Sequence, residues 1–330
     1  MEINLESFIL CTSAEMRGRR QYSMAKTCNS VFRGLLRVAQ RKTLAFSDLT
    51  YELLAAFEHH LIANGRSRNT VSLYMRTLQN LCNRAAWQGM ATVPGDLFEK
   101  VFTGAVPVHH RAVAPELIRQ ISSVEFTGKQ ARLCFARDMF MLCFYLRGIS
   151  YIDLAHLRKS DLKEGVITYW RQKTQKMTSL RIEPCAMEII KRYAHLAEDT
   201  IYLLPIIRVQ GTADEERKRY ESALRLYNKH LNRISVILNL GIPLTSYVAR
   251  HSWATIAHDI GVKIADISQA LCHSSEKMTR NYIRSFTADR LEGVNRKVIA
   301  CITGKERDSD QTKQVKKQIR AAEKIRSGSL

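Results

Sequence analysis

The sequence predicts a mainly α protein with a small β-sheet: an all-helical N-terminal domain over residues 1–108, an α+β domain over 112–303 and a basic polar tail over 304–330. Three observations carry this. Apolar residues recur at helical spacing between Asp48 and Trp87, Pro and Gly punctuate the chain near residue 110, and one hairpin-like stretch sits among the helical runs beyond.

The first domain is read from its periodicity. A weaker helix is expected around Val31 to Ala39. From Asp48, DLTYELLAAFEHHLIANG places Leu53, Leu54, Phe57 and Leu61 on one stripe, and Gly65 can end that helix. In TVSLYMRTLQNLCNRAAW, Tyr74, Leu78, Leu81 and Ala85 repeat likewise, with Asn69 or Thr70 as the expected cap. Arg66 and Arg68 stand just before this helix, where cationic side chains and backbone N–H groups, Thr70 included, can meet a phosphate. Two solvated loop arginines would look the same. Pro94, Gly95, Gly104 and Pro107 then lead into VPVHHRAVAPEL, whose His109, His110 and Arg111 mark the boundary.

The second region mixes structure types, as an α+β domain does. ARDMFMLCFYL is an apolar helical run. In GVITYWRQKTQKMTSLRIEP, Val166 to Trp170 and Met177 to Ile182 are the expected strands, with Lys173 to Lys176 at the turn. TADEERKRYES is a solvated loop or an exposed helix start. The tail after Gly304 is polar and poor in core formers, an expected auxiliary DNA contact or mobile segment.

The balance of 51 Lys and Arg against 31 Asp and Glu leaves a formal charge of +20 and favours a polyanionic partner. No stretch approaches the roughly 18 uncharged apolar residues of a membrane span, and the N-terminus carries acids where a signal peptide needs basic residues. The expectation is a cytoplasmic protein with no membrane partner. Its eight cysteines show no C-x-x-C pair and no zinc-type spacing, so reduced thiols in core positions are expected.

The stretch SYVARHSWATIAHDIGVKIADISQALCHSSEKMTRNYIRSF packs an arginine, a histidine and a tyrosine into consecutive short helical pieces. Arg250 opens one helix and Gly261 closes it; His273 follows the next, and Ser274 or Ser275 can cap the helix bearing Tyr282. The order RHSWAT at Arg250, then Gly261, then LCH at Leu271 to His273, then Tyr282 nine residues on, resembles the signature of the tyrosine recombinases, the phage integrase family. Upstream, Arg147 in FYLRGISYIDLAHLRKSDL resembles the family's first catalytic arginine, Asp153 its supporting acid and Lys173 in RQKTQ its hairpin lysine, with Lys176 competing for that place. The resemblance covers residues 112–300, with the helical first half resembling more loosely the core-binding domain that clamps DNA. Each member taken alone is open to a bland structural reading; the ordered set is what is specific.

The resemblance implies a site-specific DNA recombinase in which Tyr282 attacks a phosphodiester and holds the 3′ end covalently. Arg147 and Arg250 can neutralise the extra charge of the pentacoordinate transition state, Lys173 can protonate the departing 5′ oxygen, and His273 can bond a non-bridging oxygen or help move a proton. The chemistry calls for neither ATP nor an obligatory metal. The implied partners are double-stranded DNA recombination sites, two of them held by a homotetramer. Tyr247 stands where the family usually has histidine, three residues before the second arginine. A phenol with pKa about 10 donates a hydrogen bond but is a poor base near neutral pH, so Tyr247 is expected to orient the phosphate. LCH replaces the usual L-G-H, so Cys272 must fill a tight turn. A type IB topoisomerase shares this chemistry without a partner site, and a non-enzymatic DNA-binding regulator would share only the charge.

Overall fold

The computed structural model describes residues 4–19, 21–106, 112–273 and 275–280. The chain divides into two compact units, 1–109 and 110–330.

In the first unit four helices are described: α1 (Leu5–Gly18), α2 (Tyr22–Ala39), α3 (Tyr51–Ala63) and α4 (Arg68–Trp87). Leu54, Phe57 and Leu61 are buried as their spacing predicts, and so are Leu78, Leu81 and Ala85. Leu53 and Tyr74 only pack against that core from its edge. The second helix starts nine residues before the expected Val31. Its extra turns bury Ala25 and Cys28, residues too small to mark an apolar stripe.

The cap of α4 is Ser67, whose hydroxyl accepts from Thr70 N at 3.2 Å, and not Asn69 or Thr70. Asn69 is instead engaged with the backbone of Val106, donating to its carbonyl and accepting from its N–H, both at 2.8 Å.

The second unit is built on α6 (Arg132–Tyr145), which follows α5 (Pro115–Ser123). Leu133, Ala136, Met139, Phe140, Met141, Leu142 and Cys143 bury α6 on nearly every side, as expected of a helix apolar all round. Next come α7 (Tyr151–Ala155) and the strands β1 (Leu162–Lys163), β2 (Val166–Trp170) and β3 (Met177–Arg181), antiparallel in the order β1-β2-β3. The register pairs Val166 with Arg181 and Trp170 with Met177, leaving residues 171–176 as the turn. Then follow α8 (Pro184–Tyr193), α9 (Ala213–Ile237), α10 (Val248–Asp259), α11 (Ile264–Ala270) and α12 (Glu276–Arg280).

The charged TADEERKRYES stretch is a helix start. Thr212 and Glu215 form a reciprocal capping box at the head of α9, and Asp214, Glu215 and Glu216 lie in its first turn. The small three-stranded sheet on a mostly helical frame agrees with the predicted fold class. Among the described residues no helix is long and apolar enough to cross a membrane.

Gly34 shows how closely α2 meets α3. A Cβ added there would stand 2.5 Å from Cε2 of Phe57, a ring with no exposed surface. Alanine gains about 1 kcal/mol of helix propensity over glycine, but overpacking a core costs about 1–3 kcal/mol. Gly34→Ala should therefore destabilise the first unit, seen as a lower urea midpoint; a raised midpoint would contradict the packing described.

Candidate active site

Arg250 lies in the first turn of α10, yet it is only 4% exposed. A buried guanidinium must be paired. Its Nη1 donates to Gly148 O at 2.6 Å and its Nη2 to Leu271 O at 2.6 Å, with His273 Nε2 3.0 Å from Nη2. Gly148 permits this approach. Its φ is +67°, and a Cβ on it would stand 3.1 Å from Arg250 Cα.

Arg147, one residue earlier, also has a positive φ, +56°. Its side chain is exposed, and no hydrogen bond or ion pair engages it among the described residues. The turn after α6 thus takes one arginine by its backbone and presents the other to solvent.

The turn after α11 carries His273. Cys272 adopts φ +51°, the left-handed conformation for which glycine is favoured. Two contacts hold it there: its Sγ lies 2.6 Å from Thr178 Oγ1 on β3, and its carbonyl accepts from Arg171 Nη1 at 2.9 Å.

His273 has both ring nitrogens engaged, Nε2 with Arg250 and Nδ1 with the buried Thr279 Oγ1 at 2.9 Å. A guanidinium only donates, so Nε2 accepts and Nδ1 carries the proton given to Thr279. Burial, and then the charges of Arg250, Arg171 and Lys173, push the imidazole down to about 4. In this arrangement His273 acts on Arg250, and to reach a phosphate oxygen the ring must exchange one of its partners.

The β2–β3 turn is closed by Arg171 N donating to Lys176 O at 3.0 Å and Gln175 N donating to Arg171 O at 2.9 Å. Lys173 and Lys176 are both exposed on it. Beneath lies Asp153, 2% exposed, which accepts from Gln172 N at 2.8 Å, Ser150 Oγ at 2.5 Å and Arg171 Nε at 3.4 Å. The structure therefore brings Arg147, Arg250, His273 and the lysine turn to one place. Tyr247 stands half-exposed at the head of α10, its ring centroid 6.3 Å from that of His251. Tyr282 lies outside the described residues, as do Ser274 and the tail 304–330.

The three residues expected on DNA in the first unit differ in availability. Arg68 pairs with Glu58 at 3.2 Å and lies 4.3 Å over the Phe102 ring. The Thr70 hydroxyl is 2.9 Å from Ser67 Oγ. Arg66 is exposed. Sequence reasoning passed over Arg171, Thr178 and Thr279, which hold the site together; nothing in their spacing sets them apart.

Comparison with known proteins bears on the same residues. The phage integrase SAM-like domain matches residues 4–94, and the phage integrase family matches residues 121–289, more than half of the chain. The chain belongs to the phage integrase family. It is thus a tyrosine recombinase, an enzyme of DNA strand cleavage and joining. The second match spans Arg147, Lys173, Arg250, His273 and Tyr282. A curated relative is the tyrosine recombinase XerA of Thermococcus kodakarensis, 25% identical over 72% of this chain and 78% of its own length.

Solved structures share the fold. The Tn1549 transposon integrase in complex with transposon right end DNA has a TM-score of 0.62 at 13% identity over 90% of this chain and all of that one. A lambda integrase dimer bound to a COC′ core site scores 0.60 at 14% identity, covering 85% of this chain and 77% of that one. A lambda integrase tetramer bound to a Holliday junction scores 0.60 at 13% identity, covering 86% and 80%.

The histidine of this recombinase should be neutral at every pH where the enzyme would work. Between its ordinary value of 6.5 and about 4, unfolded chains take up a proton that the folded ring refuses. Its contribution to stability is therefore present above 6.5 and is lost as pH falls through that window. NMR of the DNA-free protein should show the His273 ring titrating near 4, whereas a midpoint above 6 would contradict the hydrogen bonds assigned.

Proposed function

We propose that the protein cuts each strand of its recombination site with Tyr282, keeps the 3′ end as a phosphotyrosyl ester, and passes it to a 5′ hydroxyl of the partner site. The observation that carries this reading is the meeting of Arg147, the Arg250–His273 pair and the Lys173 turn, from four separate chain segments of one unit.

Arg147 and Arg250 supply the charge the pentacoordinate phosphorus requires. As the Tyr282 oxygen bonds to phosphorus the phenol proton passes to water, and the bond to the 5′ oxygen breaks. Lys173 gives that oxygen its proton, and re-protonation of the amine restores the balance. Lys173 is the hairpin lysine whose charge weighs on His273, which favours it over Lys176. Tyr247, half-exposed beside Arg250 in sequence, orients a non-bridging oxygen.

Residues 1–108 act as the DNA-clamping core-binding domain, with Arg66 the readiest of its expected contacts, and 112–303 as the catalytic domain. Four copies act on two DNA sites in the cytoplasm, a reading supported by the fold shared with the lambda integrase tetramer on a Holliday junction.

The test uses a duplex carrying a DNA site selected by binding to the protein, nicked just beyond the cut so that the short strand diffuses away. The wild-type protein should accumulate a covalent adduct, in EDTA as well as without it, and mass spectrometry should place it on Tyr282. Tyr282→Phe should bind the duplex and form none. Arg147→Ala removes a side chain with no structural partner among the described residues, so it should fold normally and lose about 10²-fold in cleavage. An adduct on another tyrosine would refute the assignment.

Tyr247→Phe should slow cleavage by less than about tenfold, since a positioning hydroxyl falls short of the 10²-fold or more of a proton-transfer group. Single-turnover rates measure this, and complete loss with binding intact would make the hydroxyl essential.

A further inference from the structure

We propose that Arg171 is a positioning residue that fixes the Lys173 turn against the His273 loop, so that the lysine meets the leaving oxygen. This rests on the role given to Lys173 above.

Arg171 is the residue immediately after β2, and its backbone closes the turn that carries Lys173. Its side chain points the other way, inward, and the residue is 7% exposed. The guanidinium spans two anchors. Nε meets Asp153 Oδ2 at 3.4 Å, while Nη1 donates to Leu271 O at 3.1 Å and Cys272 O at 2.9 Å. Asp153 also accepts from Gln172 N at 2.8 Å, so its carboxylate grips both the side chain and the backbone at the base of the turn.

Leu271 O is shared with Arg250 Nη2, which binds it at 2.6 Å. One carbonyl thereby connects the arginine that faces the phosphate with the arginine that carries the lysine turn. Only a planar fork can bridge a carboxylate on one side and two carbonyls on the other. A lysine offers one point charge.

The energetics also favour a functional reading. A second buried cation next to Arg250 is a costly tether, because two like charges leave water together with one carboxylate between them. An apolar contact would tie β2 to the loop at lower cost. What the guanidinium adds is a fixed direction for the turn and a rigid link to the residues around the phosphate. The Lys173 side chain itself is exposed, so its aim depends on the backbone that Arg171 holds.

The experiment compares two duplexes carrying the same selected site, one with the natural 5′ oxygen at the cut and one with sulfur in its place. A thiolate leaves without being protonated, so sulfur suppresses a defect in proton delivery and leaves other defects as they are. Full-length wild type, Lys173→Ala, Arg171→Gln and Arg171→Lys are compared in single-turnover cleavage, with DNA affinity measured beside it.

Lys173→Ala and Arg171→Gln should each lose about 10²-fold on oxygen and return to within about tenfold of wild type on sulfur, with affinity unchanged. Arg171→Lys keeps the charge without the fork and should show the same pattern at smaller amplitude. If Arg171→Gln does not fold, that variant carries the comparison.

Rescue of Lys173→Ala but of neither Arg171 variant overturns this inference alone. No rescue of Lys173→Ala overturns the role of the lysine and this inference with it. Wild-type rates for Arg171→Gln on oxygen also overturn it.

Discussion

The site hangs on the buried guanidinium of Arg250. It joins the turn after α6 to the turn after α11 through Gly148 O and Leu271 O, each at 2.6 Å. These segments are far apart in sequence, and neither has a regular ladder to hold it. Taking a guanidinium out of water is expensive unless its N–H groups find acceptors, and here backbone carbonyls and an imidazole provide them. The backbone conformations at 147–148 and 271–273 are then set by what the arginine needs. Gly148 must lack a side chain, because Arg250 Cα already occupies that space.

Around this contact the protein gathers like charge. Arg250, Arg171, Lys173 and Arg147 share the neighbourhood, and Asp153 is the carboxylate bonded to it among the described residues. Such a cluster is poorly balanced on its own. A neutral His273 limits the repulsion, since burial and the same cations hold it unprotonated. A DNA phosphate would supply the missing negative charge, and a phosphorus in transition would supply more. On the roles proposed for these residues, that imbalance would favour the more highly charged transition state.

Much of this was legible in the sequence, and the reason differs by residue. Helices α3 and α4 announced themselves because large apolar side chains repeat at the right interval. The first half of α2 was silent because it buries Ala25 and Cys28, which carry little periodic signal, whereas α1 buries Leu5, Phe8 and Ile9 at helical spacing and was legible but passed over. The meeting of Arg147, Lys173, Arg250 and His273 followed from an ordered pattern read as a resemblance, since no single spacing dictates it. Arg171 and Thr279 were invisible for a physical reason: their partners are backbone carbonyls and a ring nitrogen, contributed by segments that come near only once the chain has folded. Asn69 misled for the opposite reason, as its side chain met a distant backbone instead of capping its own helix.

Left-handed backbone is taken in the site by residues that are not glycine: Arg147 at φ +56°, Cys272 at φ +51° and, in the lysine turn, Gln175 at φ +50°. Each such residue costs of order 1 kcal/mol or more unless its surroundings compensate. At Cys272 they do so visibly, through Thr178 on the thiol and Arg171 on the carbonyl. Glycine would remove the strain, and with it the thiol contact that locks this turn to β3. At Arg147 no side-chain bond compensates among the described residues, and the strain is instead held by the neighbouring Gly148 carbonyl in the grip of Arg250. The buried arginine therefore does more than fill its own hydrogen bonds: by holding the Gly148 carbonyl it fixes the turn from which Arg147 points outward.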